Sequence, residues 1–172
     1  ARDTRCPDAT LFRALLGRQW NRAYKIKLGA GRLDGTIIEP GEEFDFNAAL
    51  GPIEYETGFV DGLITINNKT IPGVGGGICQ VSTTMFRAAF MAGLPIHERW
   101  QHVYRVSYYE LGEGNAPGFD ASIYQPTLNL MFTNDTDNYS MIRSEYHEAA
   151  GRTEENTSEL QSRRKRVCRP LL

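Results

Sequence analysis

Apolar residues change their period several times along this chain, and each change marks an element. Leu11, Phe12, Leu15 and Leu16 recur on one helical face, and Pro7 with Asp8 opens a short helix before them. Gly29-Ala30-Gly31 then breaks the pattern, so the first 33 residues stay poorly defined. Residues 35–38 read as a short strand, Pro40-Gly41 as a turn, and Phe44 and Phe46 alternate with period two. Gly51-Pro52 and Gly58 punctuate a loop. Residues 63–66 are a β-branched strand closed by a turn at Asn67-Asn68-Lys69, and residues 71–77, with Pro72 and four glycines, leave no room for regular structure. Ile78, Val81, Met85, Ala88, Ala89 and Ala92 return at three- and four-residue spacing until Gly93 and Pro95 stop them, which predicts a helix over residues 79–92. Short strands are expected at 102–109, 121–124, 128–132 and 139–142, joined by polar turns. The pattern then decays into a polar and finally basic tail over 144–172. The sum is a single α+β domain over 34–143, a central helix packed on a mainly antiparallel sheet.

Composition narrows the class. With 172 residues and 41% hydrophobic positions, the chain is long enough for one sizeable core. Its apolar runs fall far short of the ~18 residues of a spanning helix. Arg2, Asp3, Arg5 and Asp8 leave no apolar stretch of a signal peptide at the start. The net charge of -2 hides an asymmetry: residues 1–160 hold 21 acidic and 14 basic side chains, while Arg163, Arg164, Lys165, Arg166 and Arg169 stand in the tail without an acid. An acidic body matches a nucleic-acid backbone poorly, so no nucleic-acid partner is expected. The basic run reads as a solvated tail. Three widely spaced cysteines, Cys6, Cys79 and Cys168, form no C-x-x-C, and pairing of Cys6 with Cys168 would leave Cys79 as the one thiol of the body.

The sharpest local feature is Gly75-Gly76-Gly77-Ile78-Cys79-Gln80. Glycines adopt positive φ and expose successive N–H groups, and here they lead into a helix start with unpaired donors and a positive dipole end. A cysteine in that first turn has its thiolate favoured, with the N–H groups of Cys79 and Gln80 and the Gln80 amide as candidate oxyanion donors. The alternative is a cysteine buried as a small hydrophobe after a turn. The run lacks the spacing and Lys-Ser/Thr ending of a P-loop. Of three histidines, His147 lies where the fold signal fades and His97 follows the helix into solvent. His102 opens an expected strand, and Asp120 begins another, so Cys79, His102 and Asp120 provide a nucleophile, a base and its orienter from three elements. No close ligand pair anchors a metal, and no cofactor is expected.

Several motifs carry a resemblance to a known family. The segment from Gly35-Thr36-Ile37-Ile38-Glu39-Pro40-Gly41-Glu42 to Phe44-Asp45-Phe46-Asn47, then Gly51-Pro52, and Pro72-Gly73-Val74 running through the three glycines to Cys79-Gln80-Val81-Ser82-Thr83-Thr84, closely resembles the VanW family. Ala92-Gly93-Leu94, Glu98-Arg99, His102, Phe119-Asp120-Ala121 and residues 132–137 continue the match, over roughly 34–143. The resemblance implies a bacterial domain, extracellular or associated with the cell envelope. It also implies cysteine-dependent acyl transfer on peptidoglycan stem peptides of the L,D-transpeptidase kind, with Cys79 as nucleophile, His102 as base, Asp120 as orienter, and Gly75, Gly76, Gly77 and Gln80 around the oxyanion or substrate. A non-catalytic module binding wall peptide or glycan, and a cysteine amidase or endopeptidase, are the alternatives.

Overall fold

A computed structural model describes residues 12–16, 20–66, 69–110, 116–148 and 157–161. The elements run β1 (Phe12–Leu16), α1 (Trp20–Leu33), β2 (Ile37–Ile38), β3 (Glu43–Asp45), α2 (Phe46–Leu50), β4 (Asp61–Ile66), β5 (Lys69–Val74), α3 (Ile78–Met91), β6 (Ile96–Glu98), a 3₁₀ turn (Ser107–Tyr109), β7 (Met131–Thr133), β8 (Ser140–Met141), β9 (Glu145–Glu148) and β10 (Thr157–Gln161). Every named strand pair is antiparallel: β1-β10-β9, β2-β8, β3-β7-β6 and the β4-β5 hairpin. The chain is a single α+β domain with helices packed against antiparallel sheet.

Helix α3 is the spine of the core. Its Ile78, Val81, Phe86 and Ala89 are buried together with Ile26, Ala30 and Leu33 of α1, Phe44 of β3, Leu50 of α2 and Phe132 of β7. Phe44 pairs with Phe132 across the β3-β7 register, ring centroids 4.8 Å apart. The two long helices approach closely because of Gly29: a Cβ there would stand 2.8 Å from Ile78 Cδ1. The glycine that reads in sequence as a break is therefore the contact point of a continuous helix. Beside this contact Asp45 caps α2, its Oδ1 accepting from Ala48 N–H at 2.9 Å. That cap ends the alternation at Phe46, which is the first residue of a helix rather than part of a strand.

Other expectations also change. Phe12–Leu16, read as helix from its spacing, forms a strand paired with β10. Residues 71–74 belong to β5 despite Pro72 and Gly73, which face Leu63 and Gly62 in the hairpin. Gly62 itself has no room for a side chain, since a Cβ would fall 1.8 Å from the buried Lys25 Nζ. Residues 102–109 are not a strand: they bend through Val103, 87% exposed, into the 3₁₀ turn. Residues 121–123 form no named strand, and Tyr124 makes only an isolated antiparallel bridge with Leu128. Cys6, Cys168 and the basic run at 163–169 lie outside the described residues, so their expected pairing and tail character do too.

Candidate functional site

The turn into α3 brings the cysteine to the surface of the core. Gly75 and Gly77 both take positive φ, 94° and 111°, and Gly77 is the residue from which α3 starts. Their missing side chains are filled by neighbours: a Cβ on Gly75 would stand 2.7 Å from Ile53 Cγ2, and one on Gly77 3.2 Å from Arg22 Cγ. Gly76 is buried. Ile78 N–H donates to the Gly75 carbonyl and Gln80 N–H to the Gly77 carbonyl, at 3.1 and 3.0 Å. Of the two main-chain donors suggested by sequence, the Gln80 N–H is thus spent on the turn. Its side chain is buried, and Gln80 Oε1 accepts from Arg22 Nη2 at 2.9 Å, tying the start of α3 to α1.

Cys79 is partly buried and carries a free thiol. Ile123 N–H donates to its sulfur at 3.5 Å, the sulfur in turn lies 3.6 Å from the Ile123 carbonyl oxygen, and the His102 ring and Ser122 side chain act on it electrostatically. His102 Nδ1 contacts Asp120 Oδ2, and the same carboxylate oxygen accepts from the His102 main-chain N–H at 3.2 Å. With Nδ1 committed to Asp120, Nε2 is the nitrogen left for the thiol. Asp120 and His102 are therefore hydrogen-bonded, and His102 is coupled electrostatically to Cys79 in a row of three, though His102 comes from a loop and not from the strand expected of it. The carboxylate itself fixes this loop, receiving both the ring and the backbone of His102.

The electrostatics follow from the row. Burial pushes the Cys79 thiol up, but the hydrogen bond and charge of His102, with Ile123 N–H and Ser122, outweigh it and hold the thiol below its ordinary value. Burial likewise opposes protonation of His102, yet the bonds to Asp120 and Cys79 raise its pKa from 6.5 to about 9. Burial works against the Asp120 carboxylate too, and the bonds from His102 together with the Arg99 charge hold it below 3.8. Thiol and imidazole are thus each shifted toward the thiolate–imidazolium pair, beside an Asp120 carboxylate whose ionised form is favoured. That set can attack an electrophilic carbonyl and hand a proton to the group that leaves.

Helix α3 also holds the opposite wall. Ser82 Oγ donates to the Ala121 carbonyl at 2.7 Å, and Thr83 Oγ1 accepts from Ala121 N–H at 3.1 Å while donating to the Cys79 carbonyl at 2.6 Å. Arg87, 1% exposed, donates through Nε to the Phe119 carbonyl and through Nη2 to the Tyr109 carbonyl, at 2.7 and 2.9 Å. Arg99 Nη1 bonds the Gly118 and Asp120 carbonyls. Sequence reading gave no role to Ser82, Thr83, Arg87, Arg99 or Ser122; Ser82, Thr83 and Arg99 entered it only as parts of the motifs that carry the family resemblance. Arg87 had a legible signal in sitting among apolar neighbours of a helix, and Ser122 had none. His97 lies exposed on β6, its Nε2 2.7 Å from Thr133 Oγ1, and takes no part in the row. His147 is on β9, and its side chain is outside the described residues. Among the described residues no cluster of His, Cys, Asp and Glu is arranged to hold a metal ion, and no helix is long and apolar enough to cross a membrane.

Comparison with known proteins places relatives around this geometry. The family model described as VanW like protein matches residues 21–154, a span that begins within α1. The uncharacterized protein YoaR of Bacillus subtilis (strain 168) is 34% identical over 124 residues, which is 72% of this chain and 39% of that protein. The vancomycin B-type resistance protein VanW of Enterococcus faecalis (strain ATCC 700802 / V583) is 34% identical over 119 residues, 69% of this chain and 43% of that protein. The chain thus spans about two fifths of the length of the curated relatives it matches. No solved structure matches it.

Proposed function

Because this chain belongs to the VanW family, we propose that it is a bacterial cell-envelope domain that transfers acyl groups between amines on peptidoglycan stem peptides, using Cys79 as nucleophile. The observation that supports the reading is the His102 ring bound through Nδ1 by Asp120 and coupled electrostatically to the Cys79 thiol at the start of α3. The substrate class and the location come from the family; the chemistry comes from the row.

In the first half-reaction the Cys79 thiolate attacks the carbonyl carbon at an L-centre of the donor peptide and forms a C–S bond. The oxyanion is received by the Cys79 N–H at the positive end of α3. As the intermediate collapses the amide C–N bond breaks, and the His102 imidazolium gives its proton to the departing amine, a terminal D-alanine. His102 is then neutral, held in the correct tautomer by Asp120. In the second half an acceptor amine attacks the thioester, passes its surplus proton to His102, and displaces the thiolate. One amide bond is broken and one is made. Gly75, Gly76 and Gly77 serve by shaping the turn that presents Cys79, and Gln80 by bracing that turn through Arg22.

The test incubates the protein with disaccharide-tetrapeptide fragments and resolves products by mass. Loss of D-alanine with formation of cross-linked dimers, and a thioester on Cys79, is expected. Cys79→Ser should abolish both with the fold retained, and His102→Ala should lower turnover by ~10²–10⁴-fold. Loss of D-alanine without dimers would make the domain a hydrolase. Tight binding without any thioester would make it a binding module and end the proposal.

A further inference from the structure

Helix α1 buries a charged side chain that the chemistry at Cys79 does not use. Lys25 is 1% exposed. Its Nζ donates to the main-chain oxygen of Asp61 at 3.0 Å, and among the described residues no carboxylate forms an ion pair with it. The Asp61 carboxylate instead accepts from the Tyr55 hydroxyl. Burial lowers the Lys25 pKa, the charge of Asp61 opposes this, and the charge of Arg22 adds to it. A methionine here would fill the same space without the cost of taking a cation out of water. The amine therefore adds little to stability, and what it supplies is a fixed attachment.

The place of attachment is a joint. Asp61 and Gly62 open β4 and face Val74 and Gly73 at the close of β5. A Cβ on Gly62 would collide with Lys25 Nζ while standing 3.5 Å from Gly76 Cα, so the amine lies where the foot of the hairpin meets the glycine turn. The hairpin pairs with no other strand among the described residues, and two strands alone are marginally stable. Its outgoing strand runs from Val74 straight into Gly75, whose φ of 94° makes it a natural hinge. Helix α3 is held by other contacts of α1, Arg22 on Gln80 and Gly29 on Ile78. What these leave to Lys25 is the turn and the hairpin before it.

We infer that Lys25 is a positioning residue for the reaction at Cys79: its bond to Asp61 pins the foot of the hairpin to α1 and so sets the turn against which an acyl group is held. The role rests on Cys79 being a nucleophile, as read above, but not on wall peptide being its substrate. No group of α1 contributes to the depressed pKa of the thiol, which comes from His102, Ile123 and Ser122. Two reactions of the thiol therefore separate positioning from activation. Iodoacetamide is attacked at a saturated carbon and builds no oxyanion, so its rate reports the thiolate alone. With p-nitrophenyl acetate the thiolate adds to the ester carbonyl and forms a C–S bond. A tetrahedral oxyanion develops beside the turn, and the C–O bond breaks to leave a thioacetyl on Cys79 and free p-nitrophenolate.

Both rates are measured on the full chain carrying Cys6→Ser and Cys168→Ser, so that Cys79 is the thiol read. Lys25→Met keeps the apolar stem and loses the donor. It should slow acylation by ~10-fold and change alkylation by less than ~2-fold. Its melting midpoint should stay within ~3 °C of the parent. Hydrogen exchange of the β4 and β5 amides should quicken by at least ~10-fold while that of α3 is unchanged. Gly62→Ala acts from the opposite side: its methyl displaces the flexible end of Lys25 and should reproduce the loss of acylation. The double variant should then lose no more than either single one, because both break the same contact. Equal loss of acylation and alkylation in Lys25→Met, full acylation in Gly62→Ala, or unaltered hairpin exchange in both would overturn the inference and leave Lys25 a packing residue. A parent chain that forms no thioacetyl would end this role together with the nucleophile assigned to Cys79. Acylation from the ester but never from wall fragments would sink the substrate reading alone.

Discussion

Replacing Asp120 by Asn removes one negative charge from the row and leaves its shape. His102 is raised from 6.5 to about 9, which is worth about 3 kcal/mol in favour of the imidazolium. Two partners share that effect, the Asp120 carboxylate and the Cys79 thiolate. If Asp120 supplies about half, Asp120→Asn lowers His102 by ~1–2 units and raises Cys79 correspondingly, because each ion sustains the other. At a pH on the rising limb of the thiol titration, the thiolate fraction should then fall by ~10-fold or more. The measurement is the rate of alkylation by iodoacetamide against pH, in a Cys6→Ser, Cys168→Ser background so that only Cys79 reacts, with His102 titrated in parallel by NMR. Asn retains an oxygen to accept from Nδ1–H, and Arg99 still bonds the main-chain carbonyl of residue 120, so circular dichroism should be unchanged. An alkylation profile in Asp120→Asn that overlays the wild type, with the fold intact, would refute the assignment of Asp120 as the group that sustains the ion pair.

Ser122→Ala removes a polar group that favours the thiolate, and the Cys79 pKa should rise, by less than in Asp120→Asn, read from the same alkylation profile. Gly75→Ala meets both a positive φ of 94° and Ile53 Cγ2 at 2.7 Å, so it should cost about 2–4 kcal/mol, measured by denaturant unfolding. His97→Ala, on an exposed strand position, should change turnover less than ~2-fold and stability by no more than ~0.5 kcal/mol. Stability should also depend on pH through the row. The raised His102 pKa contributes fully below 6.5 and is lost as pH climbs through about 9, whereas the depressed Asp120 contributes above 3.8 and is lost as pH falls below it. The depressed Cys79 thiol acts in the opposite sense over the alkaline range and offsets His102 there, so the acid side is the informative one: melting temperatures should decline as pH falls below 3.8 in the wild type, and Asp120→Asn should lack the part of that decline due to Asp120.

The parts of the fold legible in sequence are those set by local rules. Helix Ile78–Met91 follows from its apolar spacing and from the Gly93-Leu94-Pro95 stop, and the short strands at Ile37–Ile38 and Met131–Thr133 from β-branched or aromatic runs between turns. The misreadings come from residues whose reason lies elsewhere in the chain. Gly29 breaks a pattern on paper because its purpose is to admit Ile78, 49 positions away. Pro72 and Gly73 look incompatible with a strand, yet a two-stranded hairpin tolerates them, and Gly62 opposite is dictated by Lys25. Residues 102–109 carry strand-forming types, but the segment bends where Asp120 captures both nitrogens of one histidine residue and Arg87 captures the Tyr109 carbonyl. Residue types and the glycine-rich turn suggested Cys79, His102 and Asp120; the loop that joins them is a tertiary product with no period to detect.

Ser82 and Thr83 grip the backbone of residue 121, and residue 121 stands between Asp120, which serves the imidazole, and Ser122, which serves the sulfur. This grip is a register lock, since a slip of the segment against α3 would carry both serving side chains away together. The nucleophile, its orienting acid and its second hydrogen-bond donor are consequently parts of one cooperative unit with the first two turns of α3, rather than groups on loops that breathe independently. In hydrogen exchange the amides of Ala121 and Ile123 should open only with the core of α3. On heating, chemistry at Cys79 should persist until the fold itself is lost, with no interval of folded but inactive protein.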